Sequence, residues 1–237
     1  MQKASKENII VVCTIALCFM VTIGLCSVFS GDGIMGVFSA SKSTETAVYA
    51  LAVGGYTDMS LARTTADLIK SRGGAGYVTT ADNNIEIIYA VYPSEDVAKK
   101  VLVNLDESSA YIKKLAINNP KYKVDKETEN AITTALGYYD IAFDALYKTA
   151  NSLADGSINA DDARTQIRVL SVQINDIKSA FYNNTVETDS EDVTEVKLAL
   201  ITALALLDNI KTTGSTAQFV SSIRYAHVQL VLCRQTL

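Results

Sequence analysis

YALAVGGYTDMSLAR, residues Tyr49 to Arg63, returns thirty-six residues later as IEIIYAVYPSEDVAK, residues Ile85 to Lys99. Leu51 aligns with Ile87, Gly54 with Ala90, Tyr56 with Tyr92, Ala62 with Ala98 and Arg63 with Lys99. Each copy opens on β-forming residues, reaches an aromatic and a two-residue turn, and passes into a helical pattern. In the first copy Val48 to Tyr56 alternates as a strand does. Asp58 can then cap a helix that runs to Ser71, with Leu61, Thr65, Leu68 and Ile69 as its apolar stripe and Gly73-Gly74 as its stop.

Between the copies the spacing predicts a hairpin. Tyr77 to Thr79 is a short strand, Asp82-Asn83-Asn84 a polar turn, and Ile85 to Tyr92 the return strand. Pro93 and Ser94 open the second helix, whose buried side is Val97, Val101, Leu102 and Leu105. Ala110 to Ile117 reads as a last strand. The order strand, helix, strand, strand, helix, strand predicts an α+β, ferredoxin-like domain over residues 47–118. Its four-stranded antiparallel sheet carries both helices on one face and leaves the other free to bind.

At these residues the chain resembles the SPOR (sporulation-related repeat) family. The resemblance lies in Tyr49-Ala50-Leu51-Ala52-Val53-Gly54-Gly55-Tyr56, Ala62 and Gly73, and then in Ile87-Ile88-Tyr89-Ala90-Val91-Tyr92, Pro93, Ser94, Asp96 and Ala98. Ala52 stands where the family often has glutamine, and Ala90 where it often has glycine. The resemblance implies binding to peptidoglycan glycan strands stripped of stem peptides, at division septa or in sporulation. The competing reading is a ferredoxin-like spacer or partner surface with no glycan affinity. An RNA-binding domain shares the element order, but a net charge of −5 opposes binding to a phosphate backbone, so nucleic acid is not expected as a partner.

Strand alternation selects the face that would meet a glycan. Tyr49, Leu51, Val53 and Gly55 share one side of the first strand, in register with Ile85, Ile87, Tyr89 and Val91; this larger, more apolar set suits the helix-covered face. Ala50, Ala52, Gly54 and Tyr56, with Glu86, Ile88, Ala90 and Tyr92, form the candidate open face. Small residues there admit a flat sugar chain, with Tyr56 or Tyr92 stacking on it and Glu86 accepting from hydroxyls. The alternative places Tyr56 and Tyr92, which lie at strand ends, in the core.

Residues 121–237 predict an antiparallel four-helix bundle, because apolar residues recur at alternating steps of three and four. The stripes begin Ile132-Leu136-Tyr139-Phe143, Ala163-Ile167-Leu170-Ile174, Val193-Val196-Leu200-Ala203 and Phe219-Ile223-Ala226-Leu230, the last ending at Cys233 and Leu237. Gly156, Asn183-Asn184 and Gly214 end helices; Ser157 or Asn159, Asp189 or Ser190, and Ser215 begin them. The polar stretch from Asn118 to Lys126 separates two complete sets of elements, so each set is expected to fold alone. The bundle has no family resemblance and is the natural place to recruit another envelope protein.

Ahead of these domains, Ile9 to Phe29 is a 21-residue run without a charge. About 20 apolar residues span a bilayer as a helix. Residues 1–31 therefore read as a cytoplasmic stub and single-pass anchor, and 32–46 as a small, polar linker. The run is longer than a signal-peptide core and no good cleavage site follows it. Leu25 before Cys26 also argues against lipoprotein processing. Lys3 and Lys6 precede the run, which puts the N-terminus in the cytoplasm and the domains outside.

No catalytic set stands out, and neither an enzyme nor a cofactor is expected. His227 and Cys233 are six residues apart on one helix and point in different directions, which suits a half-buried histidine and a core cysteine. Asp155-Gly156-Ser157-Ile158-Asn159 and Asp162 resemble half a calcium loop, but its earlier ligand positions fall on Asn151 and Leu153, and leucine cannot ligate. Asp161-Asp162 and Glu191-Asp192 sit in first helical turns, where carboxylates suit the helix dipole. The topology has a direct test: a reporter enzyme fused after Leu237 is expected to be active outside the cytoplasm, and activity only inside reverses the orientation.

Overall fold

The computed structural model of the chain describes residues 45–237 apart from 82–83, 106–108, 119–121, 187 and 189. The expected anchor at Ile9–Phe29 and most of the expected linker lie outside the described residues. No described helix is long and apolar enough to cross a membrane.

The first half is β1 (Glu45–Tyr56), α1 (Met59–Ser71), β2 (Tyr77–Ala81), β3 (Asn84–Tyr92), α2 (Glu95–Leu102) and β4 (Ala110–Asn118). All pairings are antiparallel and the sheet order is β2-β3-β1-β4, so β1 is held on both sides. Asp58 caps α1 by accepting from the Ser60 and Leu61 N–H groups, and Ser94 caps α2 by accepting from Val97. Both helices cover one face, α1 over Val53, Ile85 and Ile87, and α2 over Leu51, Ala90 and Tyr92. The stripe expected on α1 is corrected. It buries Ala62, Ala66 and Ile69, while Leu61 and Leu68 are exposed. Small side chains let the helix lie close on the sheet.

The second half is α3 (Lys126–Ala154), α4 (Ala160–Asn184), α5 (Glu191–Asp208) and α6 (Thr216–Gln235). Asp125, Asn159 and Ser215 cap α3, α4 and α6, the last two through reciprocal capping boxes with Asp162 and Gln218. Thr149–Gln166 joins α3 to α4 and Ser171–Asp208 joins α4 to α5, while Asn151–Arg224 and Asp140–Arg234 together set α3 and α6 antiparallel. Arg234 is fully buried, its Nε 3.3 Å from Asp140 Oδ1.

The two halves share a core. Val48, Ala50, Ile88, Val91, Leu115 and Ile117 from the sheet belong to the same buried cluster as the bundle's apolar residues. Polar bonds cross the seam as well. Arg224 Nη1 donates to Gly73 O at 2.9 Å and its Nη2 to Asn151 Oδ1 at 3.1 Å; Gln235 Nε2 donates to Ala116 O at 3.1 Å. The Tyr77 and Tyr225 rings meet at 5.4 Å, and Tyr92 and Tyr147 at 6.2 Å. The expected boundary between 47–118 and 121–237 thus runs through one compact unit, Thr44–Leu237. The sheet's second face is not free: it rests on α6.

Each buried aliphatic side chain contributes about 1.5–3 kcal/mol when removed from water, so cutting at this seam exposes several such contributions at once. Residues 44–120 and 121–237 expressed separately are expected to lose cooperative melting, or to melt well below the intact chain, which itself should unfold in one transition by circular dichroism.

Candidate functional site

Two bulges decide which side chains reach the sheet's second face. On β1 the register with β3 shifts between Val53 and Tyr56, and Gly55 there has φ +90, a conformation open to glycine but strained for L side chains. The extra residue turns Tyr56 to the α1 side. On β3 the register shifts after Ala90, so that Leu51 pairs with Ala90 but Ala52 with Ile88. Tyr89 and Ala90 then both face the helices, and Val91 faces the bundle.

The expected open face is corrected accordingly. Tyr56, Ala90 and Tyr92 lie on the helix side, where Tyr92 is 4% exposed and burial drives its hydroxyl far above the ordinary tyrosine range. Ala50 and Ile88 keep the expected side but are buried, at 0% and 2%, in the core shared with the bundle. Ala52, also at 0%, pairs with Ile88 and Tyr111. Of the residues proposed for stacking and hydroxyl contacts, Glu86 alone stays on this face and partly accessible.

Around Glu86 the face has a different content from the one expected. Lys113 Nζ on β4 lies 2.9 Å from Glu86 Oε2 on β3, with side-chain exposures of 38% and 13%. Because β1 separates those strands, the bridge passes over β1, where the small residues Ala52 and Gly54 stand. Tyr111 reaches across from β4: a Cβ placed on Gly54 would come 2.9 Å from its Cε1. The Tyr111 hydroxyl also interacts with the Glu86 carboxylate. Burial pushes the Glu86 carboxyl up, but the interactions with Lys113 and Tyr111 outweigh it and hold the carboxyl below its ordinary value. Burial and the Glu86 carboxylate together push the Tyr111 phenol up to about 12. The result is a neutral aromatic next to an internally neutralised ion pair, above a floor of glycine and alanine.

Sequence reasoning passed over Tyr111 and Lys113. They alternate on a strand with Ala110 and Ile112, and that alternation was the available signal. A second concave surface, a groove of about 250 Å³ between α3 and α4, has Ala131, Ala135, Ile177 and Phe181 among its lining, with Glu127 as its one ionisable group. Among the described residues no three His, Cys, Asp or Glu side chains converge as a metal site. In the half calcium loop, Asp155 accepts from the Ser157 N–H, and Asn159 and Asp162 satisfy each other's cap donors. Cys233 is half-buried with a free thiol.

His227 is buried rather than half-buried. It lies in the seam with Arg224 of α6, Tyr147 of α3 and Tyr92 of β3, its ring 6.3 Å from those of Phe143 and Tyr147. Burial, and then the Arg224 charge, lower its pKa to about 4. The native state therefore holds His227 neutral, while the unfolded chain protonates it near pH 6.5. Stability is expected to fall by about 3 kcal/mol as pH drops from about 6.5 to about 4. Urea melts of wild type and His227→Gln across that range are the check: the variant should lose this part of the slope.

Compared with protein-family models, curated proteins and solved structures, the chain matches none.

Proposed function

We propose that the chain is a membrane-anchored, non-catalytic protein of the bacterial cell envelope that holds peptidoglycan glycan strands, in the manner its SPOR resemblance implies. The observation that supports this most directly is the Tyr111–Glu86–Lys113 cluster over Ala52 and Gly54. Pyranose rings present a flat C–H face and a rim of hydroxyls. An aromatic beside a donor and an acceptor on a smooth sheet answers both features. The uncharged run at Ile9–Phe29, preceded by Lys3 and Lys6, would hold this surface outside the membrane.

A second reading is an envelope scaffold without glycan affinity. It is favoured by the cover that α6 places over much of the sheet face, and by Leu198 and Ile201, exposed one turn apart on α5. Co-sedimentation of the detergent-solubilised chain with purified sacculi separates the two. The glycan reading expects binding that rises when stem peptides are removed. It also expects Glu86→Gln combined with Lys113→Ala to reduce binding at least about fivefold, with little change in melting temperature because the pair is partly exposed. Sacculi that retain no protein favour the scaffold.

A further inference from the structure

We propose that the Tyr111 patch reads a short, uncharged face of a pyranose chain and draws nothing from acid groups on the polymer; this rests on the glycan reading above. The argument begins with charge. The Lys113 ammonium is the cation that the patch presents, and it is already matched by Glu86 at 2.9 Å. An anionic ligand would meet a cation already neutralised by Glu86, with the Glu86 carboxylate close by to repel it, so the pair offers it little net attraction. The chain as a whole carries −5, which adds a long-range term of the same sign. Neutral hydroxyls meet no such repulsion. They can donate to the outer lone pairs of Glu86 and accept from the remaining protons of Lys113 while the pair stays closed.

Size points the same way. The cluster runs from β3 across β1 to β4, two strand spacings or roughly 10 Å, which suits roughly two pyranose rings. Along the strands the patch is bounded on one side by Ala50 and Ile88, buried in the core shared with the bundle, and on the other by the Gly54–Gly55 bulge. Tyr111 is the aromatic that reaches across this floor, so ring stacking on it, rather than ion pairing, would supply most of the affinity.

The test uses the full chain in detergent with three probes: neutral N-acetylglucosamine oligomers, de-stemmed sacculus glycan with its carboxylates intact, and the same glycan with those carboxylates amidated. Affinities for the three are expected to agree within about threefold, and to change less than about threefold between about 50 and about 500 mM salt. Tyr111→Ala should lower all three by about tenfold, while Tyr111→Phe, which keeps the ring, stays within about threefold of wild type. The proposal is overturned if the intact glycan binds but the neutral oligomer or the amidated glycan does not, or if affinity falls steeply with salt. Those outcomes leave the glycan reading standing. Failure of all three probes removes the glycan reading and this proposal together. The salt and amidation comparisons need no variant, so they decide the matter even if Tyr111→Ala does not fold.

Discussion

The contact of α6 with the sheet is the interaction on which the rest of the structure depends. A four-stranded sheet with helices on one face leaves its other face to be covered or to stay wet. Here the sheet supplies Val48, Ala50, Ile88, Val91, Leu115 and Ile117 to a core that continues into the bundle. Arg224 then ties the turn after α1, through the Gly73 carbonyl, to Asn151 of α3. That guanidinium is only partly buried, and its two bonds offset the contact with water that it gives up. The same contact confines any ligand on this face to the end bearing Glu86, Tyr111 and Lys113. The cover and the candidate site are therefore consequences of one packing decision.

Much of this architecture is legible in the sequence because local rules specify it. The thirty-six-residue repeat gives two strand–helix units; Asp58, Ser94 and Ser215 mark helix starts that the structure places at the same residues, and of Ser157 and Asn159 the structure uses Asn159. The bundle stripes also fall where three-and-four spacing puts them. What local rules do not carry is the second face of α6. The stripe read there, from Phe219 through Ile223, Ala226 and Leu230, is buried in the shared core. Val220, Arg224, Val228, Val231 and Gln235 form another row at helical spacing. Of these, Val220 lies near Gly73, Arg224 bonds the Gly73 carbonyl and Gln235 bonds the Ala116 carbonyl. An arginine and a glutamine in that row make it look solvated. Only the tertiary partner shows that both are hydrogen-bonded in a seam.

The candidate site was misread for a different reason. Strict alternation assigns Tyr56 and Tyr92 to one face with Ala52 and Glu86, and one inserted residue reverses everything beyond it. The bulge at Gly54–Gly55 carries a hint in its paired glycines. The shift next to Tyr89 carries none, because Tyr89-Ala90-Val91 is ordinary strand sequence. The two bulges together withdraw two tyrosines from the face and leave Tyr111, from the opposite edge of the repeat, as the aromatic near Glu86. The acidic side chain was identified correctly from its strand position, and its partners were not, since β4 lies outside both copies of the motif.

The place of β1 in the sheet also has a mechanical meaning. β1 is the first strand of the described chain, and it is hydrogen-bonded to β3 on one edge and β4 on the other. Antiparallel ladder bonds lie perpendicular to the strand axis. Tension drawn through the residues ahead of Glu45, along β1, loads both ladders in shear. All the bonds then resist together, and none opens first as it would in a strand peeled from an edge. A protein pulled at that end and held at its sheet face would carry force through its strongest direction, and would yield abruptly rather than by gradual unzipping.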